Sequence, residues 1–310
     1  MIPVYMINGF LESGKTEFIK YTISQPYFQT RGKTLLLLCE EGDTDYEEQL
    51  LKKTKTILSV IEDEKDFNTE HLKELEKQYH PERIVIEYNG MWNCKDLKLP
   101  AGWGMEQQIT TIDASTFPMF YTNMKSMVAE MVRHSEMIIF NRCDGIKELS
   151  SYKRNVKAVN QKADIIFEDS EGEVNEMMEE ELPYDLKADV IVLDNKGYGT
   201  WYLDSLDHLE RYIGKTIQYT GLVLRPKKFP KGYFVPGRMA MTCCAQDMAF
   251  LGFACKYEEA EALKEKSWVT VTAQIKKEYF SDYKGEGPVL YAKSIVPCKQ
   301  PNEPVIDFSK

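Results

Sequence analysis

No apolar run in the 310 residues approaches the roughly 20 that a membrane-crossing helix needs. The longest, Leu35-Leu36-Leu37-Leu38-Cys39, suits one buried strand. Residues 1–7 lack the basic start and the cleavage site of a signal peptide, so a cytoplasmic protein is expected. Cysteine is sparse and odd in number, seven in all, which excludes a disulfide framework and reads as reduced thiols. Positive charge is in deficit: 39 lysines and arginines face 49 acids, a net charge of −10. Broad, sequence-blind binding of nucleic acid is therefore disfavoured, although a local basic patch is allowed. The four histidines, 71, 80, 134 and 208, show no ligand spacing, and no internal repeat or low-complexity tract is present. What remains is a globular balance, 43% hydrophobic and 28% charged, long enough for about two domains.

Up to about residue 195, short apolar runs alternate with helix-period stretches. Val4–Ile7, Thr34–Cys39, Ile84–Glu87, Gln108–Ile112, Met137–Phe140, Asp164–Phe167 and Val190–Leu193 read as strands. Residues 16–24, 45–57, 69–79, 117–132 and 148–160 read as helices. Continuous apolar strands between helices predict an α/β fold, a doubly wound and mainly parallel sheet covered on both faces, over residues 1–195. Residues 168–185 carry nine acids and no lysine or arginine, which reads as solvated surface. Residues 196–212, with Tyr198, Trp201 and Tyr202, read as a docked linker. Five β-rich runs follow within 213–306: Ile217–Leu224, Tyr233–Thr242, Phe250–Tyr257, Trp268–Tyr279 and Val289–Val296. With a helical insert at 258–266, they predict a small all-β, OB-like barrel.

Gly9-Phe10-Leu11-Glu12-Ser13-Gly14-Lys15-Thr16 fits G-x-x-x-x-G-K-[ST] between a predicted strand and a predicted helix. Gly9, Ser13 and Gly14 bring backbone N–H groups to phosphates, Lys15 supplies a point charge, and the Thr16 hydroxyl suits Mg²⁺. Glu87 ends a strand where it can reach Mg²⁺ or its water. Gly90 can present a backbone N–H to a γ-phosphate. Asn141-Arg142-Cys143-Asp144 fits N-[KR]-x-D, in which the aspartate accepts two hydrogen bonds from guanine and so selects GTP. Glu40 and Glu41 are candidates for positioning the attacking water.

These elements, in this order, resemble the CobW-type GTPases, a metal-chaperone family. Cys39-Glu40-Glu41-Gly42 resembles the family's N-E-x-G stretch, with Cys39 in place of asparagine, and Thr111-Ile112-Asp113-Ala114 resembles its V-D-A strand. The resemblance implies a P-loop GTPase that binds GTP and Mg²⁺, turns over slowly, and serves a metalloprotein client or a metal-transport partner. Two departures stand out. Glu12 puts a carboxylate into the phosphate loop, where it is expected to point to solvent or a partner. The family's C-x-C-C metal motif is missing, because no cysteine lies between residues 40 and 93.

The C-terminal part resembles the last domain of YcgQ-type proteins, which are linked to zinc supply. It carries the one cysteine pair, Cys243-Cys244. With a turn at 243–247, a Zn²⁺ site of Cys243, Cys244, Asp247 and Cys255 is chemically adequate; burial in a barrel wall is the competing reading. Cys39 and Cys94 follow strands at the sheet's carboxyl edge, where packing is the commoner role. Three functions follow: a GTPase of metal, and specifically zinc, homeostasis; a regulatory GTPase whose barrel docks a protein without metal; and an OB-type nucleic-acid binder. The last has only Arg225, Lys227, Lys228, Phe229 and Lys231 in its favour and is set aside on net charge.

Overall fold

The computed structural model describes residues 1–40, 42, 45–174, 182–241 and 248–308. The chain falls into two compact units, 1–178 and 179–310. Among the described residues no helix is long and apolar enough to cross a membrane.

The first unit is built on β1 (Ile2–Asn8), β2 (Thr34–Leu38), β3 (Thr56–Val60), β4 (Arg83–Glu87), β5 (Trp103–Asp113), β6 (Met137–Asn141), β7 (Asp164–Asp169) and β8 (Gly172–Glu173). They lie in the order β3-β2-β4-β1-β5-β6-β7-β8. Every pairing is parallel except that of β7 with β8. The helices are α1 (Lys15–Ser24), α2 (Glu48–Lys53), α3 (Thr69–Tyr79), α4 (Phe117–Asn123), α5 (Lys125–Arg133) and α6 (Leu149–Val159).

The run of leucines in β2 is explained by cover on both faces. Leu36 and Val85 pack with Ile19 and Ile23 of α1. Leu35, Leu37, Ile84 and Ile86 pack on the other face with Leu72 and Leu75 of α3. Alternation puts neighbouring side chains on opposite faces, so a strand buried on both must be apolar at every position. Register then aligns the carboxyl ends: Ile7 and Leu38 both pair with Glu87, and Asp113 pairs with Asn141. That edge is where ligands bind in such sheets.

The second unit contains β9 (Ile191–Val192), α7 (Asn195–Asp207), β10 (Thr216–Leu224), β11 (Tyr233–Met241), β12 (Met248–Leu251), β13 (Cys255–Lys256), β14 (Trp268–Phe280), β15 (Gly285–Pro297) and β16 (Val305–Asp307). Strand β10 pairs with β14, β14 with β15, β15 with β13, β13 with β11, and β11 with β10 again. The pairings close a ring, with β13 and β15 parallel and the other four pairs antiparallel. Alternate residues of β10 and β14, such as Ile217, Val223, Val271 and Ile275, are fully buried.

Several local expectations change. Residues 45–57 do not make one helix: α2 is short, and Thr56-Ile57-Leu58-Ser59-Val60 forms β3, the edge strand beside β2. Its β-branched residues outweigh a loosely helical apolar spacing. The helix expected over 117–132 is split at Met124, which leaves the helical region at φ −131°. The strand expected at 190–193 belongs to the second sheet, where Ile191 pairs with Ile217. Residues 196–212 are not a linker between units: α7 buries Tyr198 and Trp201 completely within the second unit. Their aromatic density is core density. The insert at 258–266 is a single 3₁₀ turn, Ala260–Ala262.

Phe140 anchors the first core, fully buried, stacked on Phe167 at 5.0 Å and edge-on to Phe117 at 5.1 Å. Phe140→Ala should destabilise the first unit by about 3–5 kcal/mol. Urea unfolding followed on that unit's transition is the check, and a loss below about 1 kcal/mol would contradict the packing described.

Candidate functional site

The loop from Gly9 to Gly14 leaves β1 and enters α1 without a side-chain cap. Gly14 has φ 92°, and a Cβ there would lie 2.6 Å from the Asn141 amide nitrogen. Glycine is required at this point both by the backbone and by the neighbour. Glu12 is also left-handed, φ 60°, as is Arg142, φ 54°. The two strained residues are tied together: the Arg142 guanidinium donates to the Glu12 carbonyl at 2.8 Å and to the Asp113 carboxylate at 2.6 Å. Asn141 donates its amide to the Ser13 carbonyl at 2.8 Å. The end of β6 thus braces the loop from beneath. From another side comes Gly90, where a Cβ would stand 2.2 Å from the Gly9 carbonyl oxygen. No other residue fits that approach, so the segment after β4 touches the loop directly.

Lys15 is 4% exposed. Its ammonium donates to the Gly9 and Phe10 carbonyls, each at 2.9 Å, and forms an ion pair with Glu40 at 2.6 Å. Glu40 stands just beyond β2. The next residue of α1, Thr16, donates its hydroxyl to the Glu87 carboxylate at 2.7 Å. The other Glu87 oxygen accepts from the Tyr46 phenol at 2.5 Å. Burial pushes the Glu87 carboxyl above its ordinary range, and the hydrogen bonds from Tyr46 and Thr16 work against that shift. Burial, with Glu87 beside it, drives the Tyr46 phenol far upward, so it serves as a donor. Lys15, Thr16, Glu40 and Glu87 line one cleft, with Glu12, Gly14, Gly42 and Arg142 at its margins. Glu41 lies outside the described residues.

A larger cavity of about 150 Å³ lies behind the loop, lined by Phe10, Ile112, Phe117, Phe120 and Met131. It is mainly apolar and holds no basic side chain, and the charged cleft with Lys15 is the one suited to phosphate.

Asp144 is exposed beyond β6. One of its oxygens accepts from the Ser170 N–H at 3.2 Å and from the Ser170 hydroxyl. The hydroxyl holds the carboxyl below its usual range. Asp113 is held low as well: burial would raise it, but hydrogen bonds from Ser115 and Arg142 prevail. Asn141, Arg142 and Asp144 therefore divide their work, the first two on the loop and the third facing solvent.

The thiols behave differently. Cys39 is 2% exposed and packs in the core of α3 and β4, and burial pushes its thiol well up. Cys94 packs partly against the same core, its thiol pushed to about 11 by burial. Cys255 is fully buried, in register with Phe234 and Leu290, and burial likewise raises it. The structure thus places Cys255 as a fully buried residue of β13. Cys243, Cys244 and Asp247 lie outside the described residues. Among the described residues no three histidine, cysteine, aspartate or glutamate side chains cluster as metal ligands.

Sequence reasoning missed Tyr46 and Ser170. Nothing local marks Tyr46, since its partner is 41 residues away. Ser170 carried a signal: it sits in the Asp169–Gly172 turn, where Asp169 accepts from the N–H groups of Glu171 and Gly172.

Comparison with known proteins accords with this geometry. No curated protein matches the chain. Residues 168–306 match the DUF1980 C-terminal domain. Among solved structures, the hydrogenase maturation factor HypB of Archaeoglobus fulgidus is 16% identical, with 55% of this chain and 82% of that chain covered and a TM-score of 0.39. The Zn(II)-bound YjiA GTPase from E. coli is 18% identical, with 56% of this chain and 59% of that one covered and a TM-score of 0.39. HypB from Helicobacter pylori in complex with nickel is 14% identical, with 54% and 80% covered and a TM-score of 0.38. Likeness at that level adds nothing to the assignment, which rests on the family match to residues 3–167. The chain belongs to the CobW/HypB/UreG nucleotide-binding domain family, and its first unit is a P-loop GTPase.

Proposed function

We propose that this GTPase binds GTP with Mg²⁺ in the Lys15–Glu87 cleft, hydrolyses it slowly, and uses the nucleotide state in handling a transition metal, zinc first. The observation that carries the nucleotide part is the cleft itself: a buried ammonium on three oxygens beside a hydroxyl–carboxylate pair. The backbone N–H of Gly14, at the start of α1, suits a phosphate oxygen, and that of Ser13, which here donates to the Phe10 carbonyl at 3.1 Å, would turn to one on binding. Lys15 would exchange Glu40 for a phosphate. The Gly90 N–H, held against the loop, suits the terminal phosphate. Thr16 and Glu87 are hard oxygen donors on adjacent elements and fit Mg²⁺. When bound, the ion would neutralise charge developing on the phosphate oxygens. Glu40, released from Lys15, would orient water. Asp144, with one side anchored by Ser170, faces out to receive guanine. The buried side-chain amide oxygen of Asn141 has no hydrogen-bond partner among the described residues and would accept a ligand donor.

The second unit supports an OB-like reading, because its ring has one parallel contact, β13 with β15, among antiparallel ones. For zinc, Cys243, Cys244, Asp247 and Cys255 remain the candidate ligands. The alternative reading takes this ring as a protein-docking module without metal.

In fluorescent-nucleotide titrations, GTP should bind better than ATP, and Asp144→Ala should erase at least about tenfold of that preference. Lys15→Ala should abolish hydrolysis, whereas turnover surviving that change would reject the phosphate-loop assignment. Metal quantification on anaerobically purified protein should find zinc, and the Cys243→Ser, Cys244→Ser double variant should lose it. Unaltered protein without metal would leave the docking module as the role of the ring.

A further inference from the structure

Tyr46 stands in the connection between β2 and α2, and four contacts hold residues 45–47 of it. Its ring packs, with Leu50 of α2, against the core shared by α1 and the sheet. Its hydroxyl reaches the Glu87 carboxylate of β4. On either side, Lys20 of α1 donates to the Asp45 carbonyl at 3.3 Å and pairs with the Glu47 carboxylate at 2.8 Å. Glu47 is exposed, so the Lys20 pair is weak. The Tyr46 hydrogen bond is part-buried and runs to a carboxylate, the stronger kind.

We propose that Tyr46 is a positioning residue of the magnesium site, holding Glu87 in place through its hydroxyl and thereby coupling the site to residues 45–53. The inference rests on the reading of Glu87 as the residue serving Mg²⁺. A carboxylate turns freely about its last bond unless both oxygens are held. Here Thr16 fixes one and Tyr46 the other. Each carboxylate oxygen can accept two hydrogen bonds or ligands, so Tyr46 can stay bonded while Glu87 serves a hydrated cation. Thr16 is on α1 and Tyr46 in the connection after β2, so Glu87 is held from two separate elements. Occupancy of the site therefore loads the Tyr46 bond and stiffens the connection it belongs to.

The test uses the full chain with Tyr46→Phe, which keeps the packed ring and deletes only the hydroxyl, beside wild type and Glu87→Gln. Fluorescent GDP is titrated with and without Mg²⁺, and hydrogen exchange over residues 45–53 is followed in the same states. Tyr46→Phe should weaken the apparent Mg²⁺ affinity of the GDP complex roughly tenfold, the loss of one hydrogen bond to a charged group. It should leave GDP binding without Mg²⁺ unchanged, and it should abolish the slowing of exchange that Mg²⁺ brings to 45–53 in wild type. Equal Mg²⁺ affinity in wild type and Tyr46→Phe, with Glu87→Gln impaired, would overturn the role of Tyr46 and leave Glu87 standing. Should Glu87→Gln retain wild-type Mg²⁺ affinity, the underlying reading of Glu87 falls instead. An equal change of exchange in every state, with GDP binding weakened even without Mg²⁺, would make Tyr46 a packing residue only.

Discussion

A lysine ammonium that is 4% exposed must be surrounded by oxygen, and much of the first unit can be traced to how that is done for Lys15. Two of the oxygens are carbonyls of its own loop, at Gly9 and Phe10, so the loop has to curl back over its own helix. That curl demands glycine at position 14 and left-handed backbone at Glu12. The third oxygen comes from Glu40, which only a parallel neighbour two strands from β1 can deliver. Strands β2, β4 and β1 are thus held in register by packing and read out at their ends as charge.

The same construction makes the site ready for a ligand. Removing one partner of a buried ion pair strands the other, at a cost of about 3–5 kcal/mol. A phosphate that replaces Glu40 leaves Lys15 satisfied and frees a carboxylate inside the cleft. On the proposed function, binding and the creation of a water-orienting group would be one event. The Thr16–Glu87–Tyr46 chain extends that event away from the loop. Arg142, bridging Glu12 and Asp113, links it to the segment that carries Asp144.

Most of the first unit is legible in its sequence because its rules are local. Glycines six and one residues before Lys15 and Thr16 after it report a loop whose geometry depends on the backbone alone. The continuous leucines of β2 report burial on both faces. What escaped depends on contacts made across the chain. Tyr46 sits in an unremarkable acidic stretch and acquires meaning only when β4 brings Glu87 to it. β3 was hidden because an edge strand beside a buried one keeps half its residues polar, as helices do. The aromatics of α7 resemble a docked linker in sequence, and their packing against Phe253 and Leu251 assigns that region to the second unit.

If Glu40 holds the place that a nucleotide phosphate takes, its carboxylate charge works against binding. The most direct measurement is the calorimetric affinity of Glu40→Gln for GTP in the presence of Mg²⁺, set against wild type. The account predicts tighter binding by about tenfold, because Lys15 no longer has to leave a charged partner. Unchanged or weaker binding would contradict it, and would make Glu40 a ligand of the nucleotide complex rather than the stand-in for its phosphate.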